Sequence, residues 1–360
     1  MSPIQVLLIL SVTGASMSGC VGPVKHEMTT DCPAAVMYAV GTPPVVDGRA
    51  RFREIFCQIL SAEPDYQGPD GACDKFLLRL NDEPRPGEKL SPVPNLSTRY
   101  RVMVVPGFLN ECVASIALPF EDAITSLSER GLKIEPMVVS GRSSSDANAV
   151  YIADRIENLN LDEDEKLVLV GHSKGAVDIL HCIVNFPQVS RRVAAVVSVA
   201  GAINGSPVAF KLDDIYTDLA RNFLSGRCNT GDDGALDSLK PSLRLSWLAA
   251  NPLPESVQYF SLAALAERNN VNTLLKTGYD LLGVYSPRND GLLLTSDQLI
   301  PGGTLLGYAN ADHWSVVLPL ENKNFLISET VQAPRQFPRK VLLQALIVYV
   351  VETLESDREK

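Results

Sequence analysis

The stretch "LVLVGHSKGAVDIL" (residues 167–180) changes its periodicity at a single residue. It opens with four consecutive apolar residues, which is typical of a buried strand, and after Gly175 the apolar residues recur at helical spacing. Ser173 stands at the change, between Gly171 and Gly175. The pattern predicts a strand, a tight turn that carries the serine, and a helix.

The sequence on both sides of this stretch alternates between strand and helix signals. Short apolar strands separated by helices favour a parallel sheet that is covered on both faces, and therefore an α/β fold. In the second strand Pro136 disfavours the first half, and Asn148 is expected to cap the helix that follows. The predicted strands cover residues 100–107, 133–140, 166–171, 192–201, 256–262 and 304–308, and the predicted helices cover 119–131, 148–159, 174–186 and 339–354.

Length and charge narrow the classes of function. The 360 residues suffice for one large domain, and the 46% hydrophobic content is that of a globular protein. The formal net charge is −10 and the pI is about 5.0. Because phosphate binding requires a basic surface, this balance argues against nucleic acid as a partner.

The first twenty residues have the features of an export signal. A short apolar run, "IQVLLILSV", is followed by small residues, and it is too short to span a bilayer. The end of the segment, Met17-Ser18-Gly19-Cys20, resembles a bacterial lipoprotein lipobox, which implies lipidation of Cys20 and membrane attachment through it. The alternative is a plain secretory signal with an incidental cysteine.

Six further cysteines follow Cys20, and an even number in an exported chain is compatible with disulfides. Cys57 and Cys73 are the preferred pair because they flank one polar loop in an otherwise helical region. Cys182 lies in an apolar helical run and is expected to be a buried free thiol. No cysteine–histidine spacing is typical of a zinc site, and neither a metal nor an organic cofactor is predicted.

Gly171-His172-Ser173-Lys174-Gly175 fits the pattern G-x-S-x-G between a predicted strand and a predicted helix. In this context the turn lifts a serine oxygen clear of the sheet, and the start of the helix beneath it favours an oxyanion. The flanking positions must be small because bulk there would collide with the neighbouring strand and helix. The sequence resembles the α/β-hydrolase fold family and, within it, the bacterial lipases and esterases.

A nucleophilic serine requires a base, and the chain has only four histidines. His26 lies in an irregular N-terminal segment. His172 leaves the backbone beside the serine and cannot turn back to it, and His181 is about 12 Å further along the helix. His313 remains; it follows the last predicted strand, where the family carries its catalytic histidine.

The acid of such a triad is expected between the serine and the histidine in chain order. Asp290-Gly291-Leu292 resembles the Asp-Gly-Leu context of the acid in true lipases, so Asp290 is the predicted residue. Asp297 is the second choice. Asp312 is ranked last because it adjoins His313 and would have to fold back onto its own neighbour.

Two backbone N–H groups are expected to form the oxyanion hole. One belongs to Lys174, directly after the serine. The resemblance places the other at Phe108, in the loop Pro106-Gly107-Phe108, where the family often has His in place of Pro106. Phe108 and Leu109 could also line an acyl pocket.

The sequence therefore predicts an export signal (1–20), an N-terminal extension and linker (21–95), and an α/β-hydrolase domain (96–356) with a helical cap insertion (about 207–254). The expected activity is hydrolysis of small-molecule or lipid acyl esters through an acyl-enzyme. The alternatives are an acyltransferase, thioesterase or polyester depolymerase with the same triad, or a non-catalytic surface lipoprotein. The oligomeric state is left open.

Overall fold

The structure, a computed structural model, describes residues 44–66, 73–80, 83–84, 99–108, 118–209, 231–320 and 336–359. The predicted export signal with Cys20, most of the linker, Leu109 and the middle of the predicted insertion lie outside these residues.

In the described part of the chain, a sheet of eight strands forms the centre of the protein. In the order β1-β8-β7-β6-β5-β3-β4 all neighbours are parallel, and β2 pairs antiparallel with β8. The prediction of a mostly parallel sheet is confirmed. The strands are β1 (Val46–Asp47), β2 (Leu77–Leu78), β3 (Tyr100–Val105), β4 (Ile134–Pro136), β5 (Lys166–His172), β6 (Val193–Val199), β7 (Gln258–Leu265) and β8 (Thr304–Asn310).

Eight α-helices connect or flank the strands in the described part of the chain, with short 3-10 turns between them. Four of them begin and end within a few residues of the predicted bounds, since each of these four carries an apolar stripe that the sequence shows. The helices are α1 (Arg49–Ala62), α2 (Glu121–Glu129), α3 (Ser145–Glu157), α4 (Lys174–Asn185), α5 (Pro187–Ser190), α6 (Pro241–Ala250), α7 (Lys276–Leu282) and α8 (Arg339–Arg358).

The two faces of the sheet are buried against different helices. Along β3 the side chains of Val102 and Val104 point to one face, where they pack with α1, α2 and α8. Met103 and Val105 point to the other face, where they pack with α3 and α4. Because successive residues of a strand point to opposite faces, burial on both faces explains why this strand is apolar without alternation.

The second predicted strand is corrected by the structure. Only Ile134–Pro136 pairs with β3, so the half that Pro136 was expected to weaken is the half that forms. The N–H groups on either side show the reason: Val102 donates to the Lys133 carbonyl, and Met137 donates to the Val104 carbonyl. The missing N–H of Pro136 therefore faces the open edge of the sheet, where proline costs no ladder hydrogen bond.

The predicted cap of α3 was also wrong. The helix begins three residues before Asn148, and the Ser144 side chain accepts the capping hydrogen bond from the Ala147 N–H at 3.2 Å. Asn148 lies inside the helix and is buried. Its amide donates to the Ser140 carbonyl at 2.8 Å and to the Asp178 carboxylate at 2.7 Å.

The described part of the N-terminal extension packs onto the domain as α1 and β2. Phe52 of α1 contacts the ring of Tyr349 in α8, with 6.1 Å between ring centroids. A disulfide joins Cys57 to Cys73, as the sequence predicts, and it fastens α1 to the segment that leads into β2. Within the described ranges, no helix has both the length and the apolar character to cross a membrane.

Candidate active site

The nucleophile elbow has the strained backbone that its sequence pattern predicts. Ser173 stands between β5 and α4 with φ 54° and ψ −126°, in a region that costs a residue other than glycine about 1–3 kcal/mol. Two hydrogen bonds hold this conformation: the Ser173 N–H donates to the Val199 carbonyl at 3.3 Å, and the Ser173 carbonyl accepts from Ala202 at 3.1 Å. The end of β6 therefore fixes the turn.

The two elbow glycines are required by the close approach of other backbone. A Cβ at Gly171 would lie 2.5 Å from the Ala176 backbone on the first turn of α4. A Cβ at Gly175 would collide with the carbonyl oxygens of Val105 and Pro106, where β3 ends. Helix α4 thus packs directly against the strand ends, which is the reason that the sequence analysis gave for small residues here.

The structure brings Ser173, His313 and Asp290 together in one chain of hydrogen bonds. His313 Nε2 lies 2.9 Å from Ser173 Oγ, and His313 Nδ1 lies 2.8 Å from Asp290 Oδ2. All three residues are buried, with exposed fractions of 8%, 2% and 0% respectively. Because an ionised carboxylate only accepts, Nδ1 carries the proton, and Nε2 is left to accept the proton of the serine.

Asp290 is held by its own turn. Its Oδ1 accepts from the Leu292 N–H at 2.9 Å and the Leu293 N–H at 2.7 Å. Gly291, at φ 98°, makes the turn that permits this arrangement. These bonds leave Oδ2 for the imidazole, so the carboxylate has one orientation relative to His313.

Gln298 is a contact of the acid that the sequence analysis missed. Its amide exchanges two hydrogen bonds with the Ala264 backbone, at 2.6 and 2.9 Å, and its Nε2 lies 3.3 Å from Asp290 Oδ2. The side chain is fully buried. It anchors the acid to the end of β7, and no local sequence pattern identifies a contact that depends on tertiary packing.

Of the two other candidate acids, Asp312 is buried and Asp297 is partly buried, and both contact other groups. Asp297 contacts the Asn204 amide at 3.5 Å, and burial raises the pKa of its carboxyl to about 6. Asp312 accepts from the N–H groups of Trp314, Ser315 and Asn272, at 2.8–2.9 Å, and burial raises its pKa. Asp312 therefore organises the turn after His313 and does not orient the imidazole.

The remaining described histidines do not contact the serine oxygen. His172 Nε2 lies 2.9 Å from the His313 carbonyl oxygen. His181 stacks on Trp247 of α6 at 4.0 Å between ring centroids, and its ring nitrogens contact Asp146 and Arg244, each at 2.7 Å. His26 lies outside the described residues.

Lys174 and the loop after β3, which the sequence analysis named for an oxyanion hole, both lie next to the serine. Lys174 is the first residue of α4, so its N–H has no partner within the helix and belongs to the positive end of the helix dipole. The loop after β3 lies close by, since a Cβ at Gly107 would be 3.3 Å from Ser173 Oγ. Phe108 follows directly in this loop.

The Lys174 side chain has a structural partner that the sequence analysis did not find. It is 1% exposed, and its Nζ lies 2.7 Å from Asp178 Oδ1, one turn along α4. The second oxygen of Asp178 accepts from Asn148 at 2.7 Å. This buried group of three residues ties the start of α4 to α3.

Among the described residues, the hydrogen-bonded chain from Ser173 to Asp290 contains no cysteine. The sulfur of Cys182 is a buried free thiol, as predicted, and burial raises its pKa to about 12. No cluster of three or more His, Cys, Asp or Glu residues in the described part of the chain is placed to hold a metal ion.

A comparison with solved structures decides the family. The metagenomic carboxyl esterase MGS0156 is 39% identical to this chain, with a TM-score of 0.80 over 90% of this chain and 97% of that one. The chain belongs to the α/β-hydrolase family. The predicted resemblance is thereby confirmed.

Two further solved structures are less similar to this chain in sequence and in structure. The mature lipase BlEst2 of Bacillus licheniformis is 20% identical, with a TM-score of 0.47 over 62% of this chain and 89% of that one. The mouse α/β hydrolase domain-containing protein 10 is 11% identical, with a TM-score of 0.39 over 73% and 92%. No protein-family model and no curated protein matched the sequence.

Proposed function

We propose that this α/β-hydrolase is a carboxylic ester hydrolase in which Ser173 is the nucleophile, His313 the base and Asp290 the acid. One observation carries the proposal: the hydrogen-bonded chain from Ser173 Oγ through His313 to Asp290, at 2.9 and 2.8 Å, on a strained elbow. The 39% identity to a carboxyl esterase supports esters as the substrate class.

In the first half of the reaction, Ser173 Oγ attacks the ester carbonyl carbon while His313 Nε2 takes the hydroxyl proton. The carbonyl π electrons move to the oxygen, which the N–H groups of Phe108 and Lys174 stabilise. Asp290 stabilises the imidazolium. The tetrahedral intermediate collapses, the bond to the alcohol oxygen breaks, and His313 returns the proton to the departing alcohol.

In the second half, water replaces the alcohol. His313 removes a proton from the water as its oxygen attacks the acyl-serine, and the same two N–H groups hold the second oxyanion. Collapse breaks the bond to Ser173 Oγ, which regains its proton from His313. The products are a carboxylic acid and the free enzyme.

A panel of nitrophenyl esters of increasing chain length tests this function. We expect turnover by the wild type and a loss of kcat of about 10⁴-fold or more in Ser173→Ala, because the substitution removes the attacking hydroxyl. A fluorophosphonate should label the wild type and not the variant. Equal rates and equal labelling of the two proteins would refute the proposal.

We also propose that the protein is exported and attached to a membrane through lipidated Cys20. The Cys57–Cys73 disulfide supports export, since such bonds persist in oxidising compartments. Mass spectrometry of the protein from membranes should show a diacylglyceryl-modified peptide that begins at Cys20. In Cys20→Ser the modification should be lost; an unmodified cysteine in the wild type would instead indicate a plain secretory signal.

A further inference from the structure

His172 connects the nucleophile elbow to the loop that carries the base. It is the last residue of β5, directly before Ser173, and it is 6% exposed. Its ring lies against that of His313, with 4.8 Å between centroids and 42° between planes. Its Nε2 lies 2.9 Å from the backbone carbonyl oxygen of His313.

The chemistry of this contact fixes the protonation of the ring. A carbonyl oxygen only accepts, so Nε2 of His172 must carry the hydrogen and donate it. Burial, together with the nearby His313 ring, lowers the pKa of His172 well below its usual range. The neutral tautomer with a proton on Nε2 satisfies the hydrogen bond and places no second charge beside the imidazolium that His313 becomes during catalysis.

The contact completes a two-sided attachment of the His313 backbone. On one side the His313 N–H donates to the Asp290 carbonyl at 2.9 Å, which ties the base to the loop of the acid. On the other side the His313 carbonyl accepts from His172, which ties the base to the elbow. Of the two bonds, only the second connects His313 to the residue directly before Ser173.

We propose that His172 is a positioning residue for the base: its hydrogen bond to the His313 carbonyl sets the distance from His313 Nε2 to Ser173 Oγ. Because the elbow and the base loop come from strands β5 and β8, which are not neighbours in the sheet, this side chain is a direct brace between them. The inference rests on the proposed triad. It gives a function to His172, the second residue of the G-x-S-x-G pattern. The geometry of the turn alone does not require this function.

The test compares two variants at this position. His172→Phe keeps a ring of similar size and removes the donor, whereas His172→Gln supplies an amide N–H at a similar reach. We expect kcat on a nitrophenyl ester to fall about 10–100-fold in the Phe variant with KM changed less than about twofold, since a small misplacement of a catalytic group has effects of this size. The Gln variant should recover most of the loss.

A second measurement is independent of the ester substrate. The rate at which a fluorophosphonate labels Ser173 reports activation of the nucleophile, and the final extent of labelling counts the folded sites. We expect the same order of rates, wild type and Gln above Phe, at equal final extent. His172→Met, which also lacks a strong donor, replaces the Phe variant if that protein does not fold.

The outcomes separate this inference from the proposed function. Equal kcat and equal labelling rates in wild type and Phe variant would overturn the positioning role, as would a Gln variant no faster than Phe. If the wild type labels at Ser173 and the variants rank as expected, yet no ester is hydrolysed, the positioning role stands and the substrate class is wrong.

Discussion

At the scale of single residues, the choice of acid is decided by which carboxylate lies within hydrogen-bonding distance of the imidazole. Asp290, Asp297 and Asp312 are all buried or nearly so at the ends of the strands, and all three were candidates from the sequence. Backbone N–H groups occupy Asp312, and Asp297 lies beside Asn204. Asp290 alone among them contacts a ring nitrogen of His313.

Replacing each acid by its amide distinguishes the three assignments. Asp290→Asn should lower kcat by about 10²–10⁴-fold, because a neutral amide neither fixes the tautomer of His313 nor stabilises its imidazolium. Asp297→Asn is the matched control, and we expect its kcat to stay within about threefold of the wild type. Steady-state kinetics on one nitrophenyl ester suffice; a larger loss in Asp297→Asn than in Asp290→Asn would reverse the assignment.

Two contacts near the site were not predicted from the sequence, and both depend on tertiary packing. Ser173, His313 and Asp290, which the structure places in one hydrogen-bonded chain, could be predicted because a local motif, a fixed chain order and a count of four histidines point to them. Gln298 acts through the Ala264 backbone, 34 residues away, and through the buried Asp290 carboxylate. Asp178 lies one helical turn from Lys174, a spacing that the sequence shows, but the burial of this pair and its contact with Asn148 of α3 follow from tertiary packing, which no periodicity encodes.

At the scale of helices and strands, features that leave a pattern in the sequence were predicted correctly, and features that depend on tertiary packing were not. Burial on both faces produces a continuous apolar run in the sequence, so six of the seven parallel strands and four helices were predicted with errors of a few residues, whereas the two-residue strand β1 was not predicted. The predictions for Pro136 and Asn148 were wrong because they rested on local conformational preference alone. Pro136 is tolerated because its nitrogen faces away from β3, at the edge of the described sheet. The Asn148 amide, which was expected to cap α3, donates instead to the buried Asp178 carboxylate.

The contact between α4 and the end of β3 makes an element-scale prediction. A methyl group at Gly175 would meet the Val105 and Pro106 carbonyls, so Gly175→Ala must push the helix away from the loop that carries Phe108. We expect kcat to fall at least about tenfold and the free energy of unfolding to fall by about 1–3 kcal/mol.

Gly307→Ala in β8 is the control for this substitution. The nearest atoms to a Cβ there lie 3.7 Å away, which is ordinary contact, so both kcat and the unfolding free energy should change little. Urea denaturation and kinetics on the same ester measure both quantities. A Gly175→Ala protein with the stability and kcat of the control would show that the close approach is not required.

At the scale of the whole molecule, a polar network joins three helices through the buried side chains of His181 and Arg244 and the exposed carboxylate of Asp146. His181 of α4 contacts the Asp146 carboxylate through Nδ1 and the Arg244 guanidinium through Nε2. Arg244 belongs to α6, in the predicted insertion, and also donates to the Ile203 carbonyl at 3.0 Å. Because Arg244 can only donate, His181 Nε2 must accept, and the network requires a neutral imidazole.

This network predicts how stability depends on pH. Burial, and then the charge of Arg244, lower the pKa of His181 to about 4 from the usual 6.5. Between pH 6.5 and about pH 4, His181 binds a proton in the unfolded chain but stays neutral in the folded protein. Its contribution to the free energy of unfolding is therefore fully present above pH 6.5 and falls as the pH drops through this window. The shift corresponds to a loss on the order of 3 kcal/mol at the acid end.

The matched pair of variants for this prediction is His181→Gln and Asp297→Asn. Removal of the titrating imidazole should flatten the decline in unfolding free energy between pH 6.5 and 4.

Asp297, with its pKa raised to about 6, acts in the opposite direction, since the folded protein keeps a proton that the unfolded chain releases. Asp297→Asn should therefore steepen the decline relative to the wild type. Urea unfolding at several pH values over this range measures the three slopes, and identical slopes in wild type and His181→Gln would show that the imidazole is not held neutral by Arg244.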